Sequence, residues 1–257
     1  MPGNTREVRR NGTSREVSRE WVPEVPVALE FNGLAYAVMM ATPRDLEDFV
    51  TGFALTEGLA ARPEDIDQFD IAETDLGYVV RTQLSGLGIE QLSERVRTRV
   101  AESSCGLCGI ENLEALAKPL PKVPKGERPA EAAIFAAVVD LRAKQVLNAQ
   151  TGAAHAAAFA NREGQIILMR EDVGRHNAVD KLVGALAAVG RDFAEGFVLS
   201  TARCSYEIVE KVVRAGGNFL VTISLPTSMA VERARAAGLG LVCLARDDSF
   251  LEIDSAG

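Results

Sequence analysis

From residue 165 onward, short apolar runs alternate with helical stretches, and this alternation constrains the fold more than any other feature of the chain. Residues 165–170, 197–200, 219–224 and 239–245 read as strands built largely from Val, Ile, Leu and Phe. Residues 178–189, 205–215 and 228–237 read as helices, and glycines follow the last two. Strand–helix repeats joined by short loops imply a parallel or mixed sheet covered by helices. In such sheets ligands bind beyond the carboxyl ends of the strands. Those ends are Arg170-Glu171-Asp172, Ser200-Thr201-Ala202-Arg203, Ser224-Leu225-Pro226-Thr227 and Arg246-Asp247-Asp248, polar segments that follow apolar strands.

The first half is organised differently. Residues 1–20 are polar, rich in Arg and Glu, and read as a disordered or loosely docked arm. Residues 25–31 and 34–40 are apolar and extended, and Asn32-Gly33 between them is a strong hairpin signal. Thr42-Pro43-Arg44-Asp45 has helix-start chemistry with Thr42 as the cap. The helix it opens, 45–56, places Leu46, Phe49, Val50 and Phe53 on one face. Two further strands, 66–72 and 77–84, precede a charged helical stretch over 87–100. Residues 118–129 carry four of the ten prolines and read as a linker or long exposed loop, before a helix over 130–145. The organisation expected is therefore an arm (1–20), an N-terminal α+β region (21–125) and a C-terminal α/β core (126–257), to which strands of the N-terminal region can add.

A chain of 257 residues is long enough to bury a substantial core. Its 47% hydrophobic and 25% charged residues are those of a soluble globular protein. A net charge of −8 argues against non-specific binding to nucleic acid or membrane. No apolar run is long enough to cross a bilayer, and the N-terminus lacks the apolar core of a signal peptide. The expected location is the cytoplasm, where the four cysteines are free, catalytic or metal-bound rather than structural disulfides.

Two of those cysteines form Cys105-Gly106-Leu107-Cys108-Gly109, behind Glu102-Ser103-Ser104. Such a pair can cycle between dithiol and disulfide, supply half a metal site, or carry sulfur as a persulfide. A structural zinc site needs four ligands. Only Cys204, Cys243, His155 and His176 remain to complete one, and none shows paired spacing. The nucleobase-deaminase pattern H-x-E with P-C-x-x-C is also missing: Ala156-Ala157 follows His155, Asn177-Ala178 follows His176, and Ser104 stands where the proline belongs. A thioredoxin-like site places its cysteines between a strand and a helix, whereas the segment before Cys105 reads as helical.

Other candidates lie at the strand ends. Arg175, His176 and Asn177 fall in a polar turn after the strand at 165–170. Arg175 suits an anion and His176 a proton shuttle. His155, the other histidine, follows the small residues Gly152-Ala153-Ala154 that let a ligand approach the backbone, or it is a locally bonded core histidine. Ser200, Arg203 and Ser205, and likewise Pro226, Thr227 and Ser228, lie where a strand runs into a helix. Helix N-termini with Ser and Thr donors bind phosphate, although ordinary N-capping uses the same residues. No P-loop and no G-x-G-x-x-G is present.

Taken together, several segments resemble the formate dehydrogenase accessory sulfurtransferases, the FdhD family. They are residues 24–28, residues 38–47, the Cys105–Cys108 loop, residues 171–181, Ser205-Tyr206-Glu207 and residues 226–232. The resemblance extends from about Glu24 to Phe250. It implies a cytidine-deaminase-like three-layer α/β (α+β) core with a mixed sheet, without deaminase chemistry, and a smaller N-terminal α+β region. It also implies that a cysteine desulfurase passes persulfide sulfur to Cys105, with Cys108 as its neighbour. The sulfur then goes to the molybdenum or tungsten of a bis(molybdopterin guanine dinucleotide) cofactor, before the cofactor enters formate dehydrogenase. A guanine nucleotide is a partial mimic of that acceptor, and a homodimer is expected. The family's cofactor segment falls on Leu244-Ala245-Arg246-Asp247-Asp248-Ser249, which is usually basic; here Asp247 and Asp248 stand in it. Two alternatives compete: a cofactor-binding chaperone without sulfur transfer, and a thiol–disulfide oxidoreductase.

Overall fold

The computed structural model describes residues 2–101 and 119–254. Cys105 and Cys108 lie outside the described residues. The chain begins with β1 (Pro2–Val8) and β2 (Ser14–Glu20), an antiparallel hairpin where composition predicts a disordered arm. Its polarity has a simple source: both faces meet solvent. Cross-strand contacts such as Arg15 Nε to Glu7 Oε2 at 2.5 Å replace apolar burial.

A four-stranded sheet follows, built from β3 (Val25–Phe31), β4 (Leu34–Ala41), β5 (Ile66–Thr74) and β6 (Gly77–Leu84), in the order β4-β3-β6-β5. The Asn32-Gly33 turn forms as expected, with both residues at positive φ (50° and 79°). Asn32 does more than turn the chain. Its side-chain oxygen accepts from the Leu84 amide at 2.6 Å, and its nitrogen donates to the Leu84 and Leu87 carbonyls. The helix α1 (Leu46–Thr56) packs Phe49, Val50 and Phe53 into this sheet's core with Val27, Leu29 and Phe31. The charged stretch after β6 forms α2 (Ile89–Ala101).

The C-terminal core has α3 (Glu131–Lys144), α4 (Val146–Thr151), β7 (His155–Asn161), β8 (Ile166–Asp172), α5 (Arg175–Ala188), β9 (Gly196–Ser200), α6 (Tyr206–Arg214), β10 (Phe219–Thr222), α7 (Ser228–Ala237), β11 (Gly240–Cys243) and β12 (Leu251–Ile253). The sheet order is β12-β11-β10-β9-β7-β8. Alternation along the strands builds two cores. Ala157, Phe159, Val198, Leu220 and Leu241 face α5, α6 and α7. Ala158, Leu199, Val221 and Val242 face Ile134, Val138 and Leu141 of α3 on the other side. The result is a three-layer α/β core with a mixed sheet, as the sequence implies.

The two regions join at a close crossing of α1 and α5. A Cβ on Gly52 would overlap the Asp180 carbonyl, and one on Gly184 would overlap the Asp48 carbonyl. Because α5 lies between the sheet and α1, every residue from Asn177 to Leu186 is buried, Asp180 and Lys181 included. Burial of such charges demands partners. Asp180 receives Lys211 Nζ at 2.9 Å and Thr56 Oγ1 at 2.7 Å. Burial raises the Asp180 pKa, and Lys211 and Thr56 oppose that shift. The proline-rich stretch is not a free loop. Leu120 enters the core, the Val123 amide donates to Ala237 O at 3.0 Å, and Arg128 forms a bidentate pair with Glu252.

Candidate functional site

The strand directions bring the predicted strand ends together. β7 is antiparallel to both β8 and β9, so those two share a direction, and β10 and β11 run parallel with β9. The carboxyl ends of β8, β9, β10 and β11 therefore line one edge. His155, the first residue of β7, pairs with Asp172 on the same edge. α5, α6 and α7 follow β8, β9 and β10, so all three helix N-termini open toward it, with their positive dipole ends and free amides.

The first wall is the start of α5. The sequence suggests a polar turn before a helix at Ala178, but the helix begins at Arg175 with Gly174 as N-cap. An apolar-periodicity reading starts one turn late because Arg175, His176 and Asn177 occupy that turn. Asn177 is buried and committed to the frame: Nδ2 donates to Met40 O at 2.8 Å and to Asp172 Oδ1 at 2.9 Å. Arg175 and His176 are not so committed. The buried atoms Arg175 Nε and His176 Nε2 have no hydrogen-bond partner among the described residues. His176 Nε2 lies 3.4 Å from Glu207 Oε2, too long and poorly aligned for a good bond. Burial holds the His155 pKa below its usual value, and the neighbouring Arg175 and His176 lower it further.

The second wall is the β9–α6 connection. Ser200 is buried, and its Oγ accepts from the Ala202 amide at 3.2 Å. Arg203 is exposed, with no ion pair or hydrogen bond among the described residues. Ser205 stands at the N-cap of α6, yet its hydroxyl donates to Glu207 Oε2 at 2.8 Å rather than capping the helix. The His176 imidazole and the Ser205 hydroxyl hold the Glu207 carboxyl down at about 2. Glu207 thus belongs to the site. Its signal in the sequence was the Ser205-Tyr206-Glu207 segment, whose third residue falls on the first turn of α6.

The third wall is the β10–α7 connection. Thr227 is an ordinary N-cap, with Oγ1 accepting from the Ala230 amide at 3.2 Å. Pro226 bridges to Cys204, and Ser228 is exposed at the helix start. The fourth is the segment after β11. Leu244 adopts positive φ (51°), and the Ala245 amide donates to Thr222 O. Arg246 is held by the Ile223 carbonyl at 2.5 Å and the Ala245 carbonyl at 3.0 Å. The acids in this segment have local partners. Arg142 Nη1 of α3 donates to both Asp247 carboxylate oxygens, at 2.7 and 2.8 Å, and Asp248 accepts from Ser249 Oγ at 3.0 Å.

Thr42 departs from the sequence expectation. It does not cap α1; Asp45 occupies that position. Instead the Thr42 amide donates to Asp172 Oδ2 at 3.0 Å, its hydroxyl accepts from the Val173 amide at 3.1 Å, and its carbonyl accepts from Lys181. The N-terminal region therefore supports the β8 end of the site. Cys204 and Cys243 lie beneath the edge, both fully buried and hydrogen-bonded to each other. That contact, together with burial, drives the Cys204 thiol up. Among the described residues, no group of three His, Cys, Asp or Glu is placed to hold a metal ion. No described helix is long and apolar enough to cross a membrane.

The arrangement suits an anionic, multi-phosphate ligand: three helix N-termini, Arg175, His176, Arg203 and Arg246 on one edge, against a Glu207 carboxylate already engaged by Ser205. Comparison with known proteins agrees on a family. A relative from Chromobacterium violaceum, named sulfur carrier protein FdhD, is 46% identical over 248 residues, covering 94% of this chain and 91% of its own. One from Variovorax paradoxus with the same name is 43% identical over 235 residues, covering 91% and 84%. The fold matches the crystal structure of a Desulfotalea psychrophila protein, provisionally described as a formate dehydrogenase accessory protein. The TM-score is 0.77 at 22% identity, over 99% of this chain and 96% of that one. The profile of the FdhD/NarQ family spans residues 22–252, and with relatives of this identity over nearly the whole length, the chain belongs to that family.

Proposed function

We infer that this protein is a persulfide sulfurtransferase that serves formate dehydrogenase. The relatives' name, sulfur carrier protein, supports the carrier role. The observation that carries the reading for this chain is the convergence on one edge of three helix N-termini, Arg175, whose buried Nε has no hydrogen-bond partner among the described residues, and His176 beside Glu207. These fit the guanine nucleotide phosphates of a bis(molybdopterin guanine dinucleotide) acceptor, with Arg203 and Arg246 at the rim. The cofactor, holding molybdenum or tungsten, is the substrate.

The loading step is a thiol–persulfide exchange. The Cys105 thiolate attacks the outer sulfur of a cysteine desulfurase persulfide. A new S–S bond forms on Cys105, and the donor cysteine leaves as a thiolate. For delivery, the Cys108 thiolate attacks the Cys105 sulfur of that persulfide. A Cys105–Cys108 disulfide forms and the outer sulfur leaves as sulfide, the two electrons coming from the dithiol. A dithiol reductant then restores the pair. Sulfide released next to the bound cofactor becomes a ligand of its metal, and the loaded cofactor passes to formate dehydrogenase. The protein acts as a homodimer in the cytoplasm.

The test is anaerobic incubation of the full-length protein with a cysteine desulfurase and cysteine, followed by mass spectrometry. One added sulfur atom on the Cys105 peptide, lost in Cys105→Ala, is the expected result. An unmodified wild-type protein would remove the reading. Cys108→Ala should still load but fail to release sulfide, and full sulfur delivery by that variant would remove the disulfide step.

A further inference from the structure

Two of the helices that open onto the proposed cofactor edge, α5 and α6, close with α1 at their other ends around a cavity. The C-terminal ends of α1, α5 and α6 meet there and enclose about 540 Å³. The floor is apolar, with Leu55, Val183 and Phe193. The rim carries three arginines, Arg62, Arg191 and Arg214, and one acid, Asp192. Asp192 is engaged as a local cap, its Oδ1 accepting from the Ala194 amide at 2.8 Å. Arg62 pairs with the partly buried Asp65 at 3.1 Å, and Arg191 with the exposed Glu195 at 2.5 Å, a solvent-exposed pair of the kind that is weak and easily exchanged. Arg214 is exposed and has no ion pair or hydrogen bond among the described residues. Among the lining residues themselves, three arginines stand against one acid.

An apolar floor inside a ring of guanidinium groups has the anatomy of a protein-binding hot spot, where arginine is enriched and charge complementarity governs encounter. It fits an acidic segment that carries an apolar anchor. The cavity is distinct from the cofactor edge. α5 has 14 residues, which places its two ends about 20 Å apart.

The cavity is also where the cysteine-bearing segment is anchored. α2 reaches it through Arg95, whose Nη1 donates to Glu57 O at 3.3 Å and Gly58 O at 3.0 Å, and Gly58 lines the cavity. On the far side of the segment the chain lines the cavity again at Pro121. Cys105 follows Ala101, the last residue of α2, by four positions, a covalent reach of at most about 14 Å.

We propose that this arginine-rimmed cavity is the docking surface for the protein that loads sulfur onto Cys105, and that it takes an acidic, apolar-anchored segment of that donor. The proposal rests on the sulfur-carrier reading. It is tested with full-length wild type, the triple variant Arg62→Glu/Arg191→Glu/Arg214→Glu and the single variant Arg214→Glu. Persulfide on Cys105 is followed by mass spectrometry with two donors: a cysteine desulfurase with cysteine, which must dock, and inorganic polysulfide, which need not.

The triple variant should load from the desulfurase at least about tenfold more slowly, and polysulfide loading should be unchanged. Arg214→Glu, at an exposed side chain with no ion pair or hydrogen bond among the described residues, should show a smaller loss in the same direction and keeps the test open if the triple variant unfolds. Added salt should slow desulfurase loading of the wild type and not of the triple variant. Equal desulfurase loading of all three proteins overturns the proposal. So does a parallel loss of polysulfide loading in the variants, because the defect is then not one of docking. A wild type that accepts sulfur from neither donor removes the sulfur-carrier reading itself.

Discussion

Lys181 Nζ lies 2.6 Å from Asp172 Oδ2 with both side chains fully buried, and the same ammonium donates to the Thr42 carbonyl at 2.8 Å. Asp172 ends β8 at the candidate site, Lys181 lies inside α5, and Thr42 belongs to the N-terminal region, so one ion pair fastens three elements. Burial lowers the Lys181 pKa, and Asp172 opposes that shift. Removing one partner strands a buried charge. Lys181→Met should cost about 3–5 kcal/mol, read by urea unfolding. The double variant Asp172→Asn/Lys181→Met should cost less than the sum of the two single losses.

The α1–α5 crossing depends on two glycines. Gly52→Ala and Gly184→Ala each push a methyl group into a facing carbonyl. Each should cost at least about 1–3 kcal/mol, the usual range for overpacking, because neither obstacle is a flexible side chain that can move aside. Chemical denaturation of the two variants checks this.

Cys204 and Cys243 are both fully buried. Cys204 is held as a thiol by its contact with Cys243 and by burial. Iodoacetamide should therefore spare both in the native protein and modify them only after unfolding. Peptide mapping before and after denaturant reads this out. Native-state alkylation of Cys204 would contradict the packing described.

Glu207 is half-exposed, and its carboxyl is held at about 2, against an ordinary value of 4.5. A carboxylate with a lowered folded pKa stabilises the fold above its unfolded pKa and loses that contribution as pH falls. The window here runs from about 4.5 down to about 2. Glu207→Gln should therefore narrow its stability deficit relative to wild type as pH falls through this window. Thermal midpoints of both proteins across that range measure it.

The C-terminal core was readable because its strands are apolar runs bounded by glycine and polar residues, and because glycines stand just past α6 and α7. Asn32-Gly33 was equally plain. The misreadings fall where polar contacts, rather than apolar periodicity, hold the chain. Thr42 reads as a helix cap, but its partners Asp172, Val173 and Lys181 lie more than a hundred residues away. The β1–β2 hairpin reads as disorder because ion pairs and backbone bonds, not apolar alternation, hold its strands. At the site, the strand-end rule located Arg175, His176 and Arg246. It could not show that Asn177 is a framework residue, that Thr227 is an ordinary cap, or that Asp247 is taken by Arg142. Those assignments depend on which neighbour each side chain meets.

The pinning of residues 119–129 to α7 and Glu252 has a kinetic consequence. With Arg95 held on one side of the cysteines and Val123 on the other, a sulfur atom on Cys105 in the proposed cycle is a tethered reactant. Delivery to a cofactor bound on the same chain is then a first-order event, with a local concentration set by segment length rather than by the amount of protein. Loading remains a collision between two proteins. Dilution should therefore starve the first step and leave the second untouched, so the two halves of the cycle can be separated by protein concentration alone.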